Sequence, residues 1–423
     1  MRVGLPAQGQ RYHYGDRVEE GESARPMSER ILIEGNEAVA LALKLIDPDV
    51  VAAYPITPAT EVVQKFAEYV ADGEVVTEFV AVESEHSAMS ACIGASTAGG
   101  RVMTATSSQG LGLMWEMLYI AASLRRPITM AVANRALSGN INIHCDHSDT
   151  MGARDAGWIH LFSENTQEIF DNMIQAVRIA EHPDVRLPVM VCYDGFVISH
   201  AREVIESLSK EEVQSFVGKH KASLSLLDLE PKTVGPLDLQ DYYFEHKRSQ
   251  AEAYKAVPGV IEAVGQEFGK AFGRSYAQVE EYNMDGAEVA LVALGSTNGT
   301  IKDVVDGMNE SGRKVGLLKI RAFRPFPAEL VRASLSKVKA VGVFDRSMTF
   351  GGWGNPLFTE IRSAMYGTSG NGCCCGPCIP ILDRVYGLGG REISMAEIEQ
   401  YADEVLAVAK GEQVELIDYI GVR

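Results

Sequence analysis

Between Glu34 and Tyr193 the sequence alternates short apolar runs with amphipathic stretches, and that rhythm leaves few folds open. The run Val50, Val51, Ala52, Ala53 has the length and apolarity of a buried strand, and Val62, Val63, Phe66, Tyr69 and Val70 after it recur at helical spacing. The same reading places helices over 36–45, 59–70, 84–97, 113–123 and 166–182, and strands over 49–53, 75–82, 101–105, 128–133 and 188–193. Short apolar strands separated by helices predict a parallel sheet covered on both faces. A second βα series starts at Glu288, with strands over 289–294, 315–320 and 340–344, helices over 301–309 and 327–335, and a closing helix over 395–410. Residues 205–285 break the rhythm with Pro231, Pro236, Pro258 and the charged group 245–248, and read as a connection wrapping the surface or a neighbour.

Two or three domains are expected of 423 residues. A chain that is 46% hydrophobic and 23% charged has globular composition, and its net charge of −18 argues against nucleic acid or an anionic membrane as partner. No apolar run reaches the roughly 18 residues of a membrane span, and the polar, mixed-charge residues 1–30 do not resemble a signal peptide. That extension is expected to stay flexible or to lie along a partner. Cys92, Cys145 and Cys192 have no paired spacing, which fits a reducing compartment, and a cytoplasmic location is expected.

The corner Tyr54-Pro55-Ile56-Thr57-Pro58 closes the first strand. Thr57 is placed to cap the next helix, with Pro58 in its first turn. A hydroxyl and free helix N–H groups at the carboxyl edge of a parallel sheet suit an anion. Ser107 to Gly112 reads as a glycine-rich loop, without the Lys of a Walker loop or the spacing of a dinucleotide fingerprint. The letters of Cys145-Asp146-His147-Ser148-Asp149 are those of metal ligands, although a supporting structural role is the simpler reading. Cys373, Cys374, Cys375 and Cys378 put four thiols in six residues. Adjacent cysteines point apart and rarely ligate one ion together, so free surface thiols are expected there.

In their order along the chain, YPITP (54–58), ESEHSAMSA (83–91), TSSQGLGLM (106–114), DHSD (146–149), YYFEHKR (242–248), RAFRPFP (321–327), FGGWGNPLFTEIR (350–362) and YGLGGRE (386–392) resemble the α subunit of the 2-oxoacid:ferredoxin oxidoreductases, most of all the pyruvate type. The resemblance runs from residue 31 to about 410. It implies a thiamine-diphosphate-enzyme pyrimidine-binding domain over 31–205, a connecting segment over 206–285 and a transketolase C-terminal-like α/β domain over 286–423.

The resemblance also assigns roles. Glu85 becomes the carboxylate that bonds the aminopyrimidine of thiamine diphosphate, a general acid/base task. Glu83 is its rival, and without the resemblance either is simply an acid favoured by a helix N-terminus. Thr57 and Arg135 become the groups that meet the substrate, Arg135 binding its carboxylate through two parallel hydrogen bonds. Pro55, Ile56 and Gln109 become cofactor contacts. The Gly-Asp-Gly that holds the diphosphate through a divalent ion is missing, Tyr193-Asp194-Gly195 being the nearest match, and so is a spaced cysteine set for a ferredoxin-type cluster. Mg2+ and iron–sulfur clusters are therefore expected in a β subunit, with γ and δ subunits completing the complex, ferredoxin as electron acceptor, and a 2-oxoacid and coenzyme A as substrates. The implied reaction is oxidative decarboxylation of pyruvate to acetyl-CoA and CO2, possible in either direction. A branched-chain, 2-oxoglutarate or oxalate enzyme is the alternative, with Thr57 against oxalate, and a non-catalytic assembly subunit is a further one.

Overall fold

The computed structural model describes residues 29–366 and 379–423. The extension at 1–28 and the cysteine group at 373–378 lie outside the described residues.

The chain opens with β1 (Arg30–Glu34), α1 (Gly35–Ile46), β2 (Val50–Ala53), α2 (Thr60–Ala71), β3 (Glu78–Ala81), α3 (Glu85–Ala98) and β4 (Val102–Thr106). It continues with α4 (Ser108–Leu113), α5 (Trp115–Ser123), β5 (Ile128–Asn134), α6 (Ser148–Ala153), β6 (Ile159–Phe162), α7 (Thr166–Glu181), β7 (Val189–Asp194) and β8 (Arg202–Glu206). Three helices follow: α8 (Lys210–Val217), α9 (Tyr243–Ala253) and α10 (Val257–Phe272). The remainder is β9 (Val279–Tyr282), β10 (Val289–Ala293), α11 (Thr297–Glu310), β11 (Val315–Ile320), β12 (Ala322–Arg324), α12 (Ala328–Leu335), β13 (Ala340–Asp345), α13 (Pro356–Met365), β14 (Ile381–Val385), α14 (Met395–Ala409) and β15 (Ile417–Tyr419).

Two sheets result. The first has the order β12-β6-β7-β5-β4-β2-β3, parallel except for β12, which pairs antiparallel with β6. The second has the order β15-β14-β13-β10-β11-β9, parallel except for β9. A separate antiparallel pair, β1 and β8, closes the beginning of the first unit onto its end. Strands β5 and β7 are buried along their whole length, as strands covered on both faces must be.

The two units share a core. Met89, Leu118, Trp158 and Phe162 of the first unit belong to one apolar cluster with Val292, Leu318, Phe323, Val343 and Leu357 of the second. Phe323 rides on β12, so the RAFRPFP stretch, assigned by sequence to the second unit, adds an edge strand to the first sheet.

Several local expectations change. Helix α2 starts at Thr60 with Ala59 as its cap residue, so Thr57 does not cap it. The Thr57–Pro58 peptide is cis, and the Asn36 amide donates to the Pro58 carbonyl at 2.6 Å, tying the corner to α1. The glycine-rich loop is the short helix α4. Residues 205–285 hold α8, α9 and α10 rather than a plain connection. Pro258, read as a break, sits in the first turn of α10, where its missing N–H removes no helical bond.

Candidate active site

In the first sheet β5, β4, β2 and β3 are consecutive parallel neighbours, so their chain ends meet along one edge. Four sequence-predicted pieces leave from those ends: Arg135 after β5, α4 after β4, Thr57 after β2 and Glu85 after β3. The carboxyl edge of an open α/β sheet is where such folds bind ligands.

Glu85 begins α3, whose N-cap Ser84 accepts a hydrogen bond from the Ser87 N–H at 3.2 Å. The side chain is buried at 6% exposure, and no donor among the described residues bonds its carboxylate. It faces α4: a Cβ placed on Gly110 would lie 2.7 Å from Glu85 Oε1 and 2.9 Å from its Cγ. Glu83 points elsewhere. It is exposed and accepts a 2.5 Å hydrogen bond from the Ser87 hydroxyl, which holds its carboxyl below the usual range.

Arg135 is nearly buried and spans the mouth of the edge. Its Nη1 donates to the Thr57 carbonyl at 2.9 Å and its Nε to the Asn142 carbonyl at 3.0 Å. Both partners are neutral, and Nη2 bonds no described residue, so the cation keeps donors for an anion. Burial lowers the guanidinium pKa, with the nearby Asp149 charge pulling it back up. Thr57 is exposed, as is Pro55, and Ile56 is half-buried. Gln109 is half-buried, accepts from the Ser108 hydroxyl at 2.7 Å and donates to the Ser138 hydroxyl.

The loop from Ala136 to Asp149 fastens this edge to the second unit. Asn142 donates its amide to the Gly389 carbonyl at 3.1 Å, and the Gly390 N–H donates to the Cys145 carbonyl at 2.6 Å. Gly390, at φ 79°, passes so close to this loop that an added Cβ would lie 2.4 Å from the Cβ of His144. Beneath lies Asp194, fully buried. It accepts from His147 Nε2 at 2.7 Å, Arg346 Nη1 at 2.8 Å and the Ser296 N–H at 3.1 Å. Burial alone would raise its pKa, but Arg346 and His147 override that and hold it below the ordinary carboxylate range. Cys145, His147 and Asp194 do converge like metal ligands. Arg346 already supplies the positive charge there, at the end of the Asp194 carboxylate opposite His147.

Sequence reasoning missed Asn36, Asp194 and Arg346 as organisers of this region. Asn36 donates to the Pro58 carbonyl and to Glu61, and accepts from the buried Tyr193 hydroxyl at 2.8 Å. Asp194 closes the apolar run of β7, which is the available signal, because a buried polar group must find a partner, whereas Asn36 and Arg346 stand beside charged residues and carry no such mark.

Most of the chain matches known families. Residues 41–266 match the family model "Pyruvate flavodoxin/ferredoxin oxidoreductase, thiamine diP-bdg", and residues 287–398 match "Pyruvate:ferredoxin oxidoreductase core domain II". Pyruvate synthase subunit PorA of Thermotoga maritima is 55% identical over 380 residues, 89% of this chain and 95% of that one. Among solved structures, the 2-oxoglutarate:ferredoxin oxidoreductase of Magnetococcus marinus superposes with TM-score 0.70 at 22% identity, over 92% of this chain and 68% of that one. A split-gene transketolase superposes with TM-score 0.50 at 14% identity, over 89% of this chain and 97% of that one. The fold is thus a thiamine-diphosphate-enzyme pyrimidine-binding unit joined to a transketolase C-terminal-like unit, and the chain belongs to the 2-oxoacid:ferredoxin oxidoreductase family as an α subunit of the pyruvate:ferredoxin oxidoreductase type.

Proposed function

We propose that this chain is the α subunit of a complex that oxidatively decarboxylates pyruvate to acetyl-CoA and CO2 and delivers the electrons to ferredoxin, in either direction. The observation that carries the reading is the buried Glu85 carboxylate, bonded by no donor among the described residues, on the same sheet edge as Thr57 and Arg135.

When bound, thiamine diphosphate supplies the electron sink that lets a 2-oxoacid lose CO2. Glu85 fits its aminopyrimidine, because a carboxylate that no described residue bonds is free to exchange a proton with a ring nitrogen. Pro55, Ile56 and Gln109 line the approach. Arg135 holds the substrate carboxylate with the N–H groups its two backbone partners leave over, and the exposed Thr57 hydroxyl adds a hydrogen bond to the carboxylate or ketone.

The diphosphate end belongs to a partner. The nearest match to a Gly-Asp-Gly segment is centred on Asp194, whose carboxylate is committed to Arg346, His147 and Ser296. A β subunit is inferred to bring the diphosphate site with Mg2+ and the iron–sulfur clusters, alongside γ and δ subunits, in the cytoplasm. No described helix is long and apolar enough to cross a membrane.

The test is Glu85→Gln in the purified complex. Loss of about 10²- to 10⁴-fold in pyruvate-dependent ferredoxin reduction is expected of a missing general acid/base. Unchanged turnover with pyruvate and coenzyme A would overturn the assignment.

A further inference from the structure

We propose that Asp149 is a positioning residue for the reaction: its carboxylate locks the ends of β4 and β5 together, and so sets Arg135 and α4 relative to each other. The inference rests on the reading that Arg135 meets the 2-oxoacid and that Glu85 works against α4.

Asp149 is 3% exposed and spends both oxygens on this edge. Oδ2 accepts from the backbone N–H of Ser108, at the start of α4, and from the backbone N–H of Arg135, at the end of β5, each at 3.0 Å. Oδ1 accepts from the Asn134 amide and from the Thr150 N–H, each at 2.8 Å. The Asn134 amide also reaches the Thr150 hydroxyl at 2.9 Å. One oxygen atom therefore bridges two adjacent strand ends at the residues where they turn into functional segments.

Two features show why a carboxylate is needed. Ser108 has φ 45°, a left-handed conformation that an L-residue with a side chain holds only under constraint, and its N–H is the donor to Asp149. Each oxygen also faces two N–H donors, so both positions must be pure acceptors. An amide satisfies one such pair and turns its own NH2 against the other, and a buried donor without an acceptor is costly.

The consequence is a division of labour in which Asp149 touches neither substrate nor cofactor. It fixes where the Arg135 backbone leaves β5, and through Ser108 where Gly110 stands against Glu85. Releasing the clamp shifts both, so substrate affinity and turnover fall together.

The experiment compares Asp149→Asn and Asp149→Glu with the parent in the intact complex, measuring kcat and KM for pyruvate, with Glu85→Gln alongside. Far-ultraviolet circular dichroism and co-purification of partner subunits establish that each variant is folded and assembled. Asp149→Asn is expected to raise KM for pyruvate about 10-fold and lower kcat about 10-fold, and Asp149→Glu, which keeps two acceptor oxygens, to recover part of the loss. A folded Asp149→Asn complex with parental kcat and KM overturns the inference. A folded variant that loses kcat alone, with KM unchanged, also overturns it, because Arg135 would then be unmoved. If Asp149→Asn does not assemble, parental constants for Asp149→Glu, which displaces the clamp by one methylene, overturn it. Glu85→Gln separates the two levels: its failure to reduce activity sinks the underlying reading, whereas its success beside a silent Asp149→Asn sinks only the clamp.

Discussion

Nη1 of Arg135 donates a 2.9 Å hydrogen bond to the backbone carbonyl of Thr57, joining two residues 78 positions apart. Both were singled out from sequence for the same substrate. The bond makes Arg135 part of the wall it serves, since the cation is held by neutral carbonyls at two points and not by an acid that would neutralise it.

Arg135→Lys is the first test of that geometry. A lysine keeps the charge but cannot reach the Thr57 and Asn142 carbonyls and an anion in one plane. KM for pyruvate is expected to rise about 10- to 100-fold, consistent with loss of a charge-assisted fork of about 1.5–3 kcal/mol. Steady-state kinetics on the assembled complex checks it, with the melting temperature as control for folding.

Gly110→Ala probes the other side of the edge. Alanine favours a helix over glycine by about 1 kcal/mol, so α4 itself gains. Yet its Cβ would lie 2.5 Å from Thr106 Oγ1 and 2.7 Å from Glu85 Oε1, and the carboxylate end is what can move. The expected result is a folded protein with activity reduced about 100-fold, as for a general acid/base out of reach.

Much of the edge was legible in the sequence because it depends on local order. Thr57, Glu85 and Arg135 each follow an apolar run that ends a strand, and parallel neighbours bring such ends together. What escaped was non-local or masked by local signals. Strand β6 is four residues long, and β12 pairs with it from more than 150 positions away, so neither has a periodic pattern of its own. The prolines between 205 and 285 suggested a connection, although one of them starts α10. The lock formed by Asp194, His147 and Arg346 spans both units, and no spacing in the chain announces it.

Arg346→Met tests that lock. It removes the cation from an Asp194 that stays fully buried, and breaking a buried pair on one side typically costs about 3–5 kcal/mol. A clear fall in melting temperature and faster proteolysis are expected. Replacing Asp194 by Asn in the same background should restore part of the stability, because the uncompensated charge goes with it. A melting temperature for Arg346→Met within a degree of the parent would show that the pair contributes little.

His160 gives a pH prediction with a definite sign. It lies in β6 opposite Arg324 of β12, is fully buried, and neither ring nitrogen has a hydrogen-bond partner among the described residues. Burial, with a smaller contribution from Arg324, lowers its pKa from 6.5 to about 3. The folded chain thus keeps the ring neutral while the unfolded chain protonates it near pH 6.5. The stability this represents is complete above pH 6.5 and drains away as the pH falls toward 3, to a total of about 4–5 kcal/mol at 1.36 kcal/mol per pH unit. His160→Gln, which cannot gain a proton, should therefore flatten the acid side of the stability curve between pH 6 and pH 4. Chemical denaturation at several pH values measures it, and parallel curves for parent and variant would mean that His160 takes up no proton on unfolding. Because His160 faces Arg324 of β12, protonating it sets two cations against each other across this edge pair, so the first region to open in acid should be this strand, seen as early loss of amide protection at residues 322–324.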